Sequence, residues 1–167
     1  GEVHDEILRK LGVSGYTPVE FSRAEVISQG EDITFVAVGS MVTTALEAAV
    51  KLRELGLDVG VINARWVKPI DEEIILETAA KTRWLVTLEE NVLAGGFGSA
   101  VLEVLEEAGL LSQVGVKCIG IPDRFVEHGD NPQLLKDLGL DAHHVAERVM
   151  ALMKKEEPSI QLVSEQR

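Results

Sequence analysis

Trp84-Leu85-Val86-Thr87-Leu88-Glu89-Glu90-Asn91-Val92-Leu93-Ala94-Gly95-Gly96-Phe97-Gly98-Ser99-Ala100 is the stretch whose reading decides the fold. Residues 84–88 are an apolar run of strand length, and three glycines within four positions separate it from a helical pattern over Val101 to Ala108. Strand, glycine turn and helix in that order form half of a crossover unit. The spacing predicts a strand over 84–88 and a helix over 99–108, with two adjacent carboxylates at the strand's carboxyl end. In open α/β sheets that edge is where ligands and partners gather.

The same pattern recurs on both sides. Ile33 to Val38 reads as a strand buried on both faces and ends in Gly39-Ser40, with Ser40 placed to cap the next helix. That helix carries Val42, Ala45, Leu46, Ala49, Leu52 and Leu55 on one face and is stopped by Gly56. Val59 to Ile62 reads as the next strand, and Asp71 as the cap of a helix with Glu72 and Glu73 in its dipole-favoured first turn. Val116 to Ile121 is the last strand, followed by helices over 132–138 and 142–153, the second capped by Asp141. Strand-to-strand passages of about 30 residues are those of right-handed crossovers in a parallel sheet. Between the strand signal at Arg23 to Ser28 and Ile33 there is only a turn at Gly30, too short for a crossover helix. The expected fold is therefore three-layer α/β/α around a mixed five-stranded sheet whose first strand is antiparallel to the rest. Residues 1–18 are expected to be a linker or short helix, 19–157 one domain, and 158–167 a frayed tail.

Composition narrows the function classes. The 167 residues carry 16 Lys+Arg against 28 Asp+Glu, a formal charge of −12, which makes nucleic acid and anionic membrane poor partners. Cys118 is the one cysteine and is expected to be a small buried side chain, so no intrachain disulfide forms. No apolar stretch approaches the roughly 20 residues of a membrane helix, and the acidic start lacks a secretion-signal layout. The expectation is a soluble, cytoplasmic chain.

No side chain forms a recognisable catalytic, cofactor or metal set. Glu89 and Glu90 point to opposite sides of a strand and cannot converge on one atom; one of them is expected to cap the following loop or to accept hydrogen bonds at an interface. His143 and His144 project about 100° apart and form no i, i+4 metal pair. The turn Gly95-Gly96-Phe97-Gly98 could cradle a phosphate, yet it lacks a dinucleotide fingerprint and a Walker-type ending. The candidate interface or sheet-end residues are Arg65 and Lys68 past one strand, Glu89, Glu90 and Asn91 at the end of the next, Gly95, Gly96 and Gly98 in the turn, and Arg124 and His128 in the loop after the last strand. The three glycines are expected to bring a loop too close to a second backbone to tolerate side chains. At an interface, Glu89, Glu90 and Arg65 would be partly covered in a dimer. A stand-alone nucleotide- or anion-binding module is the reading of another class.

Several segments together carry a resemblance: Ala64-Arg65-Trp66-Val67-Lys68-Pro69-Ile70-Asp71, Leu88-Glu89-Glu90-Asn91, Gly95-Gly96-Phe97-Gly98-Ser99 and Ile119-Gly120-Ile121-Pro122-Asp123-Arg124-Phe125. Across roughly Val19 to Glu156 the chain resembles the carboxy-terminal domain of thiamine-diphosphate-dependent transketolases. Pro122-Asp123-Arg124-Phe125 with Leu138-Gly139-Leu140-Asp141 favours the deoxyxylulose-phosphate synthase branch over transketolase proper and the β subunits of 2-oxoacid dehydrogenases. The resemblance implies a transferase whose two earlier domains hold thiamine diphosphate and magnesium, while this third domain packs and helps a homodimer form. Neither the family's metal-binding stretch nor the glutamate that activates the cofactor has a counterpart here. The chain is thus expected to bind no cofactor and to be inactive alone, its partners being the other domains or chain of the parent enzyme. The carboxy-terminal part of a split transketolase, or of a 2-oxoacid dehydrogenase β subunit, is the alternative.

Overall fold

The computed structural model describes residue 10, residues 19–123 and residues 131–156, with side chains excepted at 131, 132, 155 and 156. The expectations for the rest of 1–18, for Arg124 and His128, and for the tail lie outside the described residues. Within them the strands are β1 (Glu25–Ser28), β2 (Ile33–Ala37), β3 (Val59–Asn63), β4 (Trp84–Val92) and β5 (Gly115–Ile121). The helices are α1 (Met41–Glu54), α2 (Glu72–Ala79), α3 (Phe97–Glu107), α4 (Asn131–Asp137) and α5 (Ala142–Glu156).

The sheet order is β1-β3-β2-β4-β5; β1 pairs antiparallel with β3 and all other neighbours pair in parallel. The expected three-layer architecture and antiparallel first strand are present. The connection through Gly30 is tight because Gly30 crosses Gly60: a Cβ on Gly30 would lie 2.1 Å from the Gly60 nitrogen. Strand alternation sorts the core into two layers. Ile33, Phe35, Val61, Val86, Leu88 and Ile119 face α1 and α5, and Val36, Ile62 and Leu85 face α2 and α3.

Around the glycine turn two boundaries differ from expectation, for one reason. β4 does not stop at Leu88 but resumes after an irregularity to pair Val92 with Ile121, and α3 begins at Phe97, two residues early. The irregular end of β4 delivers Glu89 to the start of α3, where its carboxylate caps the helix two residues ahead of the expected start at Ser99. Asp71 caps α2 as expected, accepting from the Ile74 N–H, and it also ties down β1's approach by accepting from the Ala24 N–H at 2.9 Å. Asp141 accepts from the N–H groups of His143 and His144 at the start of α5. Ser40 departs from its expected role: its backbone is already helical at the N-cap (φ −57°, ψ −29°), and its side chain makes no capping bond.

Candidate functional site

The strand order reverses between β2 and β4, and there the carboxyl edge opens into a crevice of about 350 Å³. Val38, Gly39 and Ser40 form one wall; Glu89, Glu90, Asn91 and Gly95 to Phe97 form the other, with Val67 at the rim. The structure therefore brings together Glu89, Glu90, Asn91, Gly95 and Gly96 as the sequence implied.

The two carboxylates do separate work. Glu89 is 1% exposed and spends both oxygens on α3: Phe97 N–H donates at 2.7 Å and Gly98 N–H at 2.8 Å. A carboxylate there meets the positive end of the helix dipole and two otherwise orphaned donors. Glu90, on the opposite side of the strand, is exposed and accepts from the Ser40 hydroxyl, so it bridges β4 to the start of α1. Glu89 is thus covered within a single chain, not by a partner, and it is a cap.

Each glycine answers a different constraint. Gly95 sits at φ +70° with nothing within 4 Å of a would-be Cβ, so backbone conformation, not crowding, selects it. At Gly96 the same atom would lie 2.3 Å from Glu89 Oε2 and 2.4 Å from the Val92 carbonyl oxygen. At Gly98 it would meet Cys118 Sγ and Thr87 Oγ1, each at 2.8 Å. The expected close approach of two backbones holds at Gly96 alone. Cys118 is half-buried in β5 rather than fully buried.

The turn has no free donor for an anion. Gly95 N–H donates to Ser99 Oγ, Gly96 N–H to the Leu93 carbonyl, and the next two N–H groups to Glu89. A diphosphate placed here would find its cradle filled and Glu90 beside it, so these residues do not fit thiamine diphosphate. Among the described residues no three His, Cys, Asp or Glu side chains are grouped to hold a metal ion. No described helix is long and apolar enough to cross a membrane.

Arg65 lies at the far corner of the same edge, at φ +58°, and pairs with Glu25 of its own chain at 2.7 Å rather than across a subunit boundary. The β1–β3 pairing that places Glu25 opposite Asn63 supplies that partner, which sequence spacing could not reveal. Lys68 is exposed. Sequence reasoning missed the contact of Trp66 with Phe21, whose ring centroids are 5.0 Å apart, edge to face. Its only sequence trace is an aromatic at each of two turns.

This is a three-layer α/β domain in which the helix N-terminus at the crevice is capped by the chain's own glutamate. The model of the family described as transketolase, C-terminal domain, matches residues 22–145, and the chain belongs to that family. It is 49% identical over 135 residues to 1-deoxy-D-xylulose-5-phosphate synthase 1 of Geobacter sulfurreducens, covering 81% of this chain and 21% of that protein. It is 52% identical over 132 residues to the synthase of Pelotomaculum thermopropionicum, covering 79% and 21%. The chain thus spans about a fifth of the length of the curated relatives it matches. Among solved structures, one described as a split gene transketolase, inactive beta4 tetramer, superposes with a TM-score of 0.73 at 38% identity, over 83% of this chain and 44% of that one. A transketolase variant from Pichia stipitis shares the fold at TM-score 0.59 and 21% identity, over 82% and 19%.

Proposed function

We propose that this chain is the carboxy-terminal packing and association domain of a thiamine-diphosphate-dependent enzyme of the transketolase family, and that the enzyme is a 1-deoxy-D-xylulose-5-phosphate synthase. That enzyme joins pyruvate to glyceraldehyde 3-phosphate with loss of carbon dioxide. Identity near one half to synthases supports the branch. The observation that carries the packing role is Glu89: the one buried carboxylate at the sheet's crevice has both oxygens committed to α3, so it is engaged in holding the fold and not aimed at a substrate. In this reading the remainder of the enzyme holds thiamine diphosphate and magnesium, and the assembly is a cytoplasmic homodimer. Similarity to a split-gene transketolase favours a second form of the same reading, in which the domain is supplied as a separate chain.

The test is a domain exchange. Residues 19–156 replace the matching region of the Geobacter sulfurreducens synthase, and product formation is assayed. An active fusion supports the reading; a folded but inactive one removes the synthase assignment. Calorimetric titration of the 167-residue chain with thiamine diphosphate and magnesium is expected to show no specific heat, and micromolar binding would overturn the non-catalytic role.

A further inference from the structure

One corner of the carboxyl edge gathers exposed apolar side chains. Phe21 is 72% exposed, Val19 65% and Val67 49%, and Phe21 leans edge-on against Trp66. Several of the corner's polar groups are paired: the Trp66 indole N–H donates to the Glu20 carbonyl at 3.1 Å, Arg65 pairs with Glu25, and Arg23 with Asp71 and Glu73. Val19, Phe21 and Val67 present hydrocarbon to solvent between them, with exposed Glu20 and Lys68 beside them in the chain. The two non-glycine residues with positive φ among the described ones, Ser22 at 60° and Arg65 at 58°, flank this aromatic pair. Such backbone conformations persist only where the surrounding structure over-determines them.

We infer that the corner formed by Val19, Phe21, Trp66 and Val67 is the surface on which this domain docks against the amino-terminal part of its own enzyme, through an apolar contact. This rests on the reading that the chain is a packing domain. Three observations select that occupant. Val19 and Phe21 lie on the segment by which the chain enters the domain, so whatever precedes it is delivered to this corner at high effective concentration. The matched relatives carry about four-fifths of their length outside the aligned part. Finally, an apolar centre of Val19, Phe21 and Val67 with exposed charges at Glu20 and Lys68 beside it has the make-up of a protein–protein contact rather than of a polar small-molecule site. Exposed Leu55 and Leu111 follow the C-terminal ends of α1 and α3 at the opposite edge and stand singly, as ordinary surface residues do.

Hydrogen exchange on the fusion described above, compared with the 167-residue chain alone, tests the inference. Amides of residues 19–24 and 64–68 are expected to exchange roughly tenfold or more slowly in the fusion. Phe21→Ser should abolish that protection, and Leu55→Ser should leave it intact. Because Phe21 is exposed, Phe21→Ser is expected to leave the melting of the chain alone unchanged. An active fusion with no protection at the corner overturns the docking surface and leaves the proposed function standing. A protected corner in an inactive fusion keeps the surface and removes the synthase assignment. Concentration-dependent self-association of the chain alone that Phe21→Ser abolishes would make a second copy the occupant, and would overturn the inference.

Discussion

Replacing Glu89 by glutamine separates the charge of the cap from its shape. The side chain is buried, with one oxygen 2.7 Å from Phe97 N and the other 2.8 Å from Gly98 N. Glutamine keeps a single acceptor, so one N–H faces an amide NH₂ and loses its partner, at a cost of about 1–3 kcal/mol for a buried orphaned donor. The lost negative charge at the N-terminus of α3 removes up to about 2 kcal/mol more in a buried geometry. The expected destabilisation is therefore about 1–5 kcal/mol, against a total of about 5–15 kcal/mol for a typical domain. Glu89→Ala orphans both donors and leaves a void, so it risks outright unfolding and is the less informative variant. Urea unfolding followed by far-UV circular dichroism reads the midpoint, with the slope checked for two-state behaviour. A glutamine variant within about 0.5 kcal/mol of the parent, the range of ordinary surface changes, would refute the cap.

Gly96→Ala is expected to cost more than Gly95→Ala in the same assay: the first drives a methyl into the Val92 carbonyl and Glu89, whereas the second pays only the left-handed backbone, about 1–2 kcal/mol. Equal losses would mean that crowding at Gly96 is relieved elsewhere. Asp71→Ala should exceed the usual cap loss of about 1 kcal/mol and reach about 2–3, since it frees the Ala24 N–H as well as that of Ile74; thermal melts showing a loss no larger than the usual cap would count against the tether to β1. Burial raises the Asp141 carboxyl, but the His144 side chain and the N–H groups of His144 and His143 outweigh it and hold the group below its ordinary 3.8. Its contribution is therefore present above that value and lost as pH falls through the lower folded value. Asp141→Asn should flatten this small acid-side slope, and a slope identical to the parent's would refute the assignment.

The layers of this domain were legible in the sequence because each local signal agreed with the global fold: apolar runs of strand length, a helical period ended by Gly56, caps at Asp71 and Asp141, and a connection at Gly30 too short for a helix. The opposite directions of Glu89 and Glu90 were legible too, since they follow from a strand's period of two. A capping role for one of them was also legible; which one takes it was not, because a cap depends on how far β4 runs before it bends. Only the renewed pairing of Val92 with Ile121 sets that distance. Arg65 gained its partner in the same way, from a β1–β3 register that places Glu25 within reach across some 40 residues of chain. The aromatic corner arises where the entering segment crosses the turn after β3. Local propensity and periodicity act over a few residues and decide which elements form; contacts between residues far apart in sequence decide which side chain each element end is left to meet.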